Sequence, residues 1–203
     1  VTYLGYDGEK NQKVTIREYL PSDFSTRAKD ELDVTIYSGD AYEQFTEGLT
    51  TFLNEGNSVE KIPDIQGIAK VYDCFSENET GYIIGEYLEG ETLKEIFDTG
   101  KKYDVSEAKE IIISILQGLK ELHASGVIHY DICPDNVVIT TAGETKLINF
   151  GATKYSTTSN SKSLAIILKP GYAPEEQYRS QGEKGPWSDV YATAAPVSYT
   201  HLT

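Results

Sequence analysis

Apolar and polar residues alternate through VTYLGYDGEKNQKVTIREYL on either side of the polar turn DGEKNQ, which predicts a β-hairpin. The next stretch, PSDFSTRAKDELDVTIYSGD, is polar and mixed and reads as an insertion loop. The period then changes. Tyr42, Phe45, Leu49, Phe52, Leu53 and Val59 recur at helical spacing, although Gly48 and Gly56 weaken that pattern. IAKVYDCF and GYIIGEYL predict two strands joined by the turn SENET. ETLKEIF predicts a short helix. DVSEAKEIIISILQGLKELHASG predicts a long amphipathic one, capped by Asp104 with Glu107 and ended by Gly126. NVVIT and TKLIN form a second hairpin around Ala142 and Gly143, and the polar stretch Thr153–Ser163 reads as a mobile loop. Strands with one helix come first, then mainly helices with a small hairpin. That order predicts an α+β chain of two lobes, with a boundary near Glu89 and Gly90 and a ligand cleft between them.

Composition narrows the partners. A formal net charge of -14 repels nucleic acid and anionic lipid. The two cysteines, Cys74 and Cys133, have no paired spacing, which suits a reducing compartment and argues against a disulfide framework or zinc site. IIISIL is the longest apolar run and is far too short to span a membrane. A cytoplasmic location is expected, either free or as the cytoplasmic part of a membrane-anchored protein. The chain has no methionine and opens in what reads as mid-strand, so it is expected to be cut from a longer reading frame. Residues 196–203, PVSYTHLT, do not fit what precedes them. Val197–Thr203 back-translates to a sequencing-adapter string and reads as adapter read-through. The fifteen tyrosines read as packing residues, not as a base-stacking platform, given the acidic charge.

The candidate chemistry lies in HYDICPDNVVI. Phosphoryl transfer needs a carboxylate near the acceptor hydroxyl, oxygen ligands for magnesium and a cation on the phosphates. The spacing H-x-D-x-x-x-x-N, here His129, Asp131 and Asn136, supplies the first two from one loop. The same residues also suit a plain loop in which Asp131 and Asn136 cap their own turns. NFG at 149–151, KPGYAPEEQY at 169–178 and SDVYA at 188–192 follow in order.

With these segments in view, Val1 to about Ala195 resembles the eukaryotic-type protein kinase family, in particular bacterial serine/threonine kinases. The resemblance implies a bilobal protein-kinase-like fold that is incomplete here. Residues 1–89 would form a small β-rich N-lobe with one helix but without its glycine-rich loop. Residues 90–195 would form part of a mainly helical C-lobe. ATP and magnesium are the implied ligands, and a protein is the implied substrate. Asp131 would be the catalytic base; Asn136 and Asn149 would hold the metal. Arg17 takes the place of the phosphate-binding lysine, with Glu55 as its partner. Backbone groups of Glu86 and Leu88 would bind adenine, lined by Thr2, Thr15 and Val138. Gly85 takes the gatekeeper place and is expected to open a back pocket. Val59, Val71, His129 and Phe150 would stack as a spine. Glu175 and Asp189 match structural acids, with the partner of Glu175 expected beyond the end of the chain.

Several positions depart from the family pattern. Arg17 has a broad planar guanidinium where a compact ammonium is usual. Asn149 removes a full negative charge from a hard-cation site. Tyr130 replaces an arginine that receives a phosphorylated loop. Cys133 replaces a lysine, and its thiol is expected to be held protonated by Asp131. Lys169 stands where a threonine is usual. It is read either as the replacement cation near Asp131 and the γ-phosphate or as a solvated loop lysine. Two functions stay open: an impaired serine/threonine kinase, and a pseudokinase that binds nucleotide or protein without chemistry. A small-molecule phosphotransferase is disfavoured by GYAPEEQY.

Overall fold

The computed structural model describes residues 1–149, 169–179 and 182–201. Phe150, Gly151 and the loop Thr153–Ser163 lie outside the described residues. The chain forms two compact units. The first comprises Val1–Lys61 and Lys70–Tyr87; the second takes in Ile62–Ala69 and the described residues from Leu88 onward.

In the first unit, β1 (Thr2–Asp7) pairs antiparallel with β2 (Gln12–Glu18), as the alternation predicts. The insertion is not wholly irregular. β3 (Ser25–Thr26) and β4 (Thr35–Ile36) pair within it, and Val34 is buried with its N–H on the Asn78 carbonyl at 3.0 Å. Arg27 folds back onto the buried carboxylate of Glu18, which also accepts from the hydroxyls of Tyr82 at 2.7 Å and Tyr3 at 2.8 Å. Helix α1 (Asp40–Glu60) follows, then β5 (Val71–Glu77) and β6 (Thr80–Glu86), which complete a four-stranded sheet in the order β1-β2-β6-β5. Asn78 and Glu79 join the last two strands with φ of 53° and 58°, the left-handed pair a two-residue hairpin requires.

The glycines of α1 do the opposite of what propensity suggests. The buried stripe is Phe45, Gly48, Phe52, Gly56 and Val59, and Tyr42 is exposed. A side-chain carbon at Gly48 would strike the Tyr19 ring, and one at Gly56 would strike Cys74 Sγ and Ile83 Cγ1. The two glycines are therefore the points at which the helix meets the strands. Their entropic cost is offset by that close approach.

In the second unit, β7 (Gly90–Thr92) leads into α2 (Leu93–Asp98), capped by Thr92 and Glu95. Helix α3 (Val105–Ala124) carries the expected Asp104–Glu107 capping box, and Gly126 sits at φ 81° just past its end. The apolar face of α3, with Ile115, Leu119 and Leu122 buried, forms the core with Ile68 and Leu147. β8 (Val137–Thr140) and β9 (Thr145–Leu147) form the predicted hairpin. β7 adds a third strand too short to show a period. Helix α4 (Glu175–Tyr178) and helix α5 (Pro186–His201) complete the unit, and the α5 backbone runs past Ala195 into the segment read as foreign.

Candidate active site

The loop from His129 to Asn136 joins α3 to β8 and is held from below by α5. Asp189 is fully buried. Its Oδ2 accepts the His129 N–H at 2.8 Å and meets His123 Nε2 at 2.7 Å; its Oδ1 accepts the Tyr130 N–H at 2.7 Å. Tyr130 lies at φ 62°, a left-handed conformation that disfavours a bulky L residue, and Gln177 Nε2 pins its carbonyl at 2.9 Å. His129 is wholly buried. Its Nδ1 accepts the Asp131 N–H at 3.3 Å, so Nε2 carries the proton and donates to the Ile148 carbonyl at 3.1 Å. Burial pushes its pKa down, against the pull of the Asp189 and Asp131 carboxylates, and keeps the ring neutral.

Asp131, Asn136 and Asn149 form a chain of contacts. Asn136 ends a 3-10 turn, Pro134–Asn136, closed by its N–H on the Cys133 carbonyl at 2.9 Å. Its Nδ2 donates to Asp131 O at 2.8 Å and Asp131 Oδ2 at 2.9 Å. This fixes the carboxylate through Oδ2. Asn136 Oδ1 accepts from Asn149 Nδ2 at 2.9 Å, with Asn149 exposed at φ 58°. Magnesium takes oxygen ligands. Here the one carboxamide oxygen of Asn136 is engaged by an amide N–H, and Asn149 presents nitrogen. Asn136 Oδ1 keeps a second lone pair, and a half turn of the Asn149 carboxamide would present its oxygen in place of its nitrogen.

Lys169 does not pair with Asp131. Its Nζ lies 2.6 Å from Asp135 Oδ2, and it also meets the Cys133 sulfur. Burial pulls its pKa down, but Asp135 and Cys133 outweigh that and raise it. Cys133 is fully buried and its thiol is pushed up to about 11. The sequence reading assigns that shift to Asp131, yet burial contributes more and Asp131 comes second. Cys74 is half-buried on β5.

In the first unit, Arg17 Nη1 reaches Glu55 Oε1 at 3.5 Å, and its guanidinium lies 5.5 Å from the centre of the Phe52 ring. This is a single long contact, not the two-pronged fork that arginine offers a carboxylate. Thr2 pairs with Arg17 across β1 and β2. Thr15 Oγ1 donates to the Glu86 carbonyl at 3.4 Å, and the Glu86 N–H is spent on Lys70 O at 2.8 Å. A first side-chain carbon at Gly85 would meet Thr15 Oγ1 at 3.0 Å and Lys70 O at 3.4 Å. Leu88 and Val138 belong to the second unit, with Val138 buried on β8. Of the expected spine, Val59 is buried and Val71 half-buried in the first unit, while His129 belongs to the second. Glu175 finds a partner on its own helix turn, Arg179. Asp135 and His123 were not anticipated, and no local pattern marks either one.

The family profile for the protein kinase domain matches residues 35–200. The chain belongs to the protein kinase family. Among curated relatives, serine/threonine-protein kinase PknL of Mycobacterium tuberculosis is 31% identical over 168 residues, covering 82% of this chain and 40% of PknL. Serine/threonine-protein kinase PrkC of Bacillus subtilis is 32% identical over 152 residues, covering 74% of this chain and 23% of PrkC. The solved structure described as the PpkA-294 apo form superposes with a TM-score of 0.82 at 27% identity, covering 98% of this chain and 69% of that one. The fold is thus the α+β kinase fold, and the relatives place the chain among serine/threonine protein kinases. The chain spans less than half the length of these two curated kinases. Among the described residues, no helix is long and apolar enough to cross a membrane.

Proposed function

We propose that this kinase domain transfers the γ-phosphate of ATP to serine or threonine hydroxyls of a protein, at a reduced rate. The observation that carries this reading is the hydrogen bond from Asn136 Nδ2 to Asp131 Oδ2, 2.9 Å long, on a loop braced by Asp189. It supports a carboxylate aimed and ready to take the acceptor's proton. Arg17, with Glu55 behind it, serves as the phosphate contact. Thr2, Thr15, Gly85, Glu86, Leu88 and Val138 serve the adenine end. The rate is reduced because most of the catalysis in phosphoryl transfer is electrostatic. Arg17 lacks the geometry of a lysine, and Asn149 lacks a charge.

A second reading is favoured by the contact between Asn149 Nδ2 and Asn136 Oδ1. If that contact persists with nucleotide bound, the domain holds ATP or a protein partner without chemistry. Metal binding by Asn136 and Asn149 requires the Asn149 carboxamide to turn its oxygen inward.

The test is γ-phosphate transfer from ATP to a generic serine/threonine acceptor by the full-length protein, beside an Asp131→Asn control. Transfer that disappears in the control supports the kinase reading. No transfer above the control, with nucleotide binding indifferent to magnesium, supports the second.

A further inference from the structure

Lys169 and Asp135 form an ion pair at the rim of the catalytic loop, with side chains 36% and 47% exposed. A pair this exposed adds little to folding stability, so its effect lies in where it puts charge. Asp135 is the middle residue of the 3-10 turn that ends at Asn136. Pro134 restricts the backbone there, and the turn is closed onto Cys133 O. The carboxylate of Asp135 is thereby tied to the same short segment that aims Asp131. Lys169 arrives from a different part of the chain, and its ammonium meets both Asp135 and the sulfur of Cys133. An ammonium has three N–H donors. Among the described residues, two are directed at Asp135 and Cys133, and a third remains for an anion.

We infer that Asp135 is a positioning residue: it holds the Lys169 ammonium against Cys133, so that a cation from outside the catalytic loop stands where a lysine at position 133 would place its own. The anion it serves is the terminal phosphate of a nucleoside triphosphate. This rests on the nucleotide-site reading above, but not on transfer taking place. Lys94, the neighbouring cation on α2, is committed to Asp98 at 2.5 Å and is the natural control.

The experiment is calorimetric titration of the full-length protein with ADP and with a non-hydrolysable ATP analogue, each with and without magnesium. Lys169→Ala is expected to weaken binding of the triphosphate about tenfold, on the scale of one charged hydrogen bond, while leaving ADP within about twofold. Asp135→Asn is expected to give the same selective loss, and Asp135→Glu to restore the preference. Lys94→Ala is expected to change neither. Equal effects on both nucleotides, no effect on either, or failure of Asp135→Glu to rescue would each overturn the inference. A wild-type protein that transfers no phosphate yet shows this pattern keeps the inference and loses the kinase reading. A wild-type protein that transfers phosphate without the pattern does the reverse.

Discussion

Asp189 accepts the N–H of Tyr130 at 2.7 Å, and Tyr130 holds a left-handed backbone, φ 62°, immediately before the candidate base. A left-handed residue with a side chain costs about 1–2 kcal/mol, and here the buried carboxylate offsets it. Asp189→Asn keeps the shape but turns an amide NH2 toward one of the backbone N–H groups. A buried donor left without an acceptor costs about 1–3 kcal/mol. The urea midpoint of the variant is expected to fall accordingly, with any phosphate transfer falling further because Asp131 loses its aim. An unchanged midpoint would mean that the loop is held by other contacts.

Asn149→Asp replaces an N–H donor facing Asn136 Oδ1 with a carboxylate oxygen, and adds a charge. The amide contact cannot survive that change, and the donor set becomes one a hard cation accepts. ATP affinity in magnesium is expected to rise on the order of tenfold, about 1.4 kcal/mol, with little change in its absence. Fluorescent-nucleotide titration at both conditions decides the point. A magnesium effect no larger than that of wild type would count against Asn149 as the limiting ligand.

Acidification is expected to weaken the first unit through Glu18. Burial pushes this carboxyl up, but the hydrogen bonds from Arg27, Tyr82 and Tyr3 outweigh burial and hold it below its ordinary value of 4.5. A lowered folded value means the stabilisation is present above pH 4.5 and is lost as pH falls through the folded value. Glu18→Gln never has that contribution. The thermal midpoint of wild type is expected to exceed that of Glu18→Gln at pH 7, and the gap to close below pH 4.5. A gap independent of pH would show that packing, not charge, is what Glu18 supplies.

Gly56→Ala sets two known effects against each other. Helix propensity gains about 1 kcal/mol. The added carbon lies 2.8 Å from Ile83 Cγ1 and closer still to Cys74 Sγ, and overpacking of this kind costs about 1–3 kcal/mol. Net destabilisation is expected in chemical denaturation. A stabilised variant would mean that the α1–β6 contact yields easily.

Features written in adjacent residues were legible in the sequence. Asp104 and Glu107 read as a capping pair because both partners lie within one helical turn, and the spacing from Asp131 to Asn136 already placed a carboxylate and its amide on one loop. Contacts made across the chain were not. Nothing near Lys169 names Asp135, nothing near His123 names Asp189, and Arg27 looked like any polar loop residue until Glu18 was found buried beneath it. Gly48 and Gly56 were misjudged for a related reason. Propensity scores a residue against its own helix, whereas these two are set by Tyr19, Cys74 and Ile83 on other elements. Asn149 was read as a weakened ligand. That its nitrogen would face Asn136 depends on a side-chain rotation that no spacing encodes.

Surface loops ordinarily gain and lose residues with little consequence, since their backbone is solvated and their side chains bear on nothing else. The segment between β2 and α1 is bound by a different rule. Its Arg27 closes over a carboxylate belonging to β2, so a deletion that removed Arg27 would strand a buried negative charge, and a change at Glu18 would leave a half-buried guanidinium without its carboxylate. Neither can be trimmed first. The loop and the strand that carries Arg17 are thus coupled through one pair: in descendants of this sequence, residue 27 and residue 18 are expected to change together.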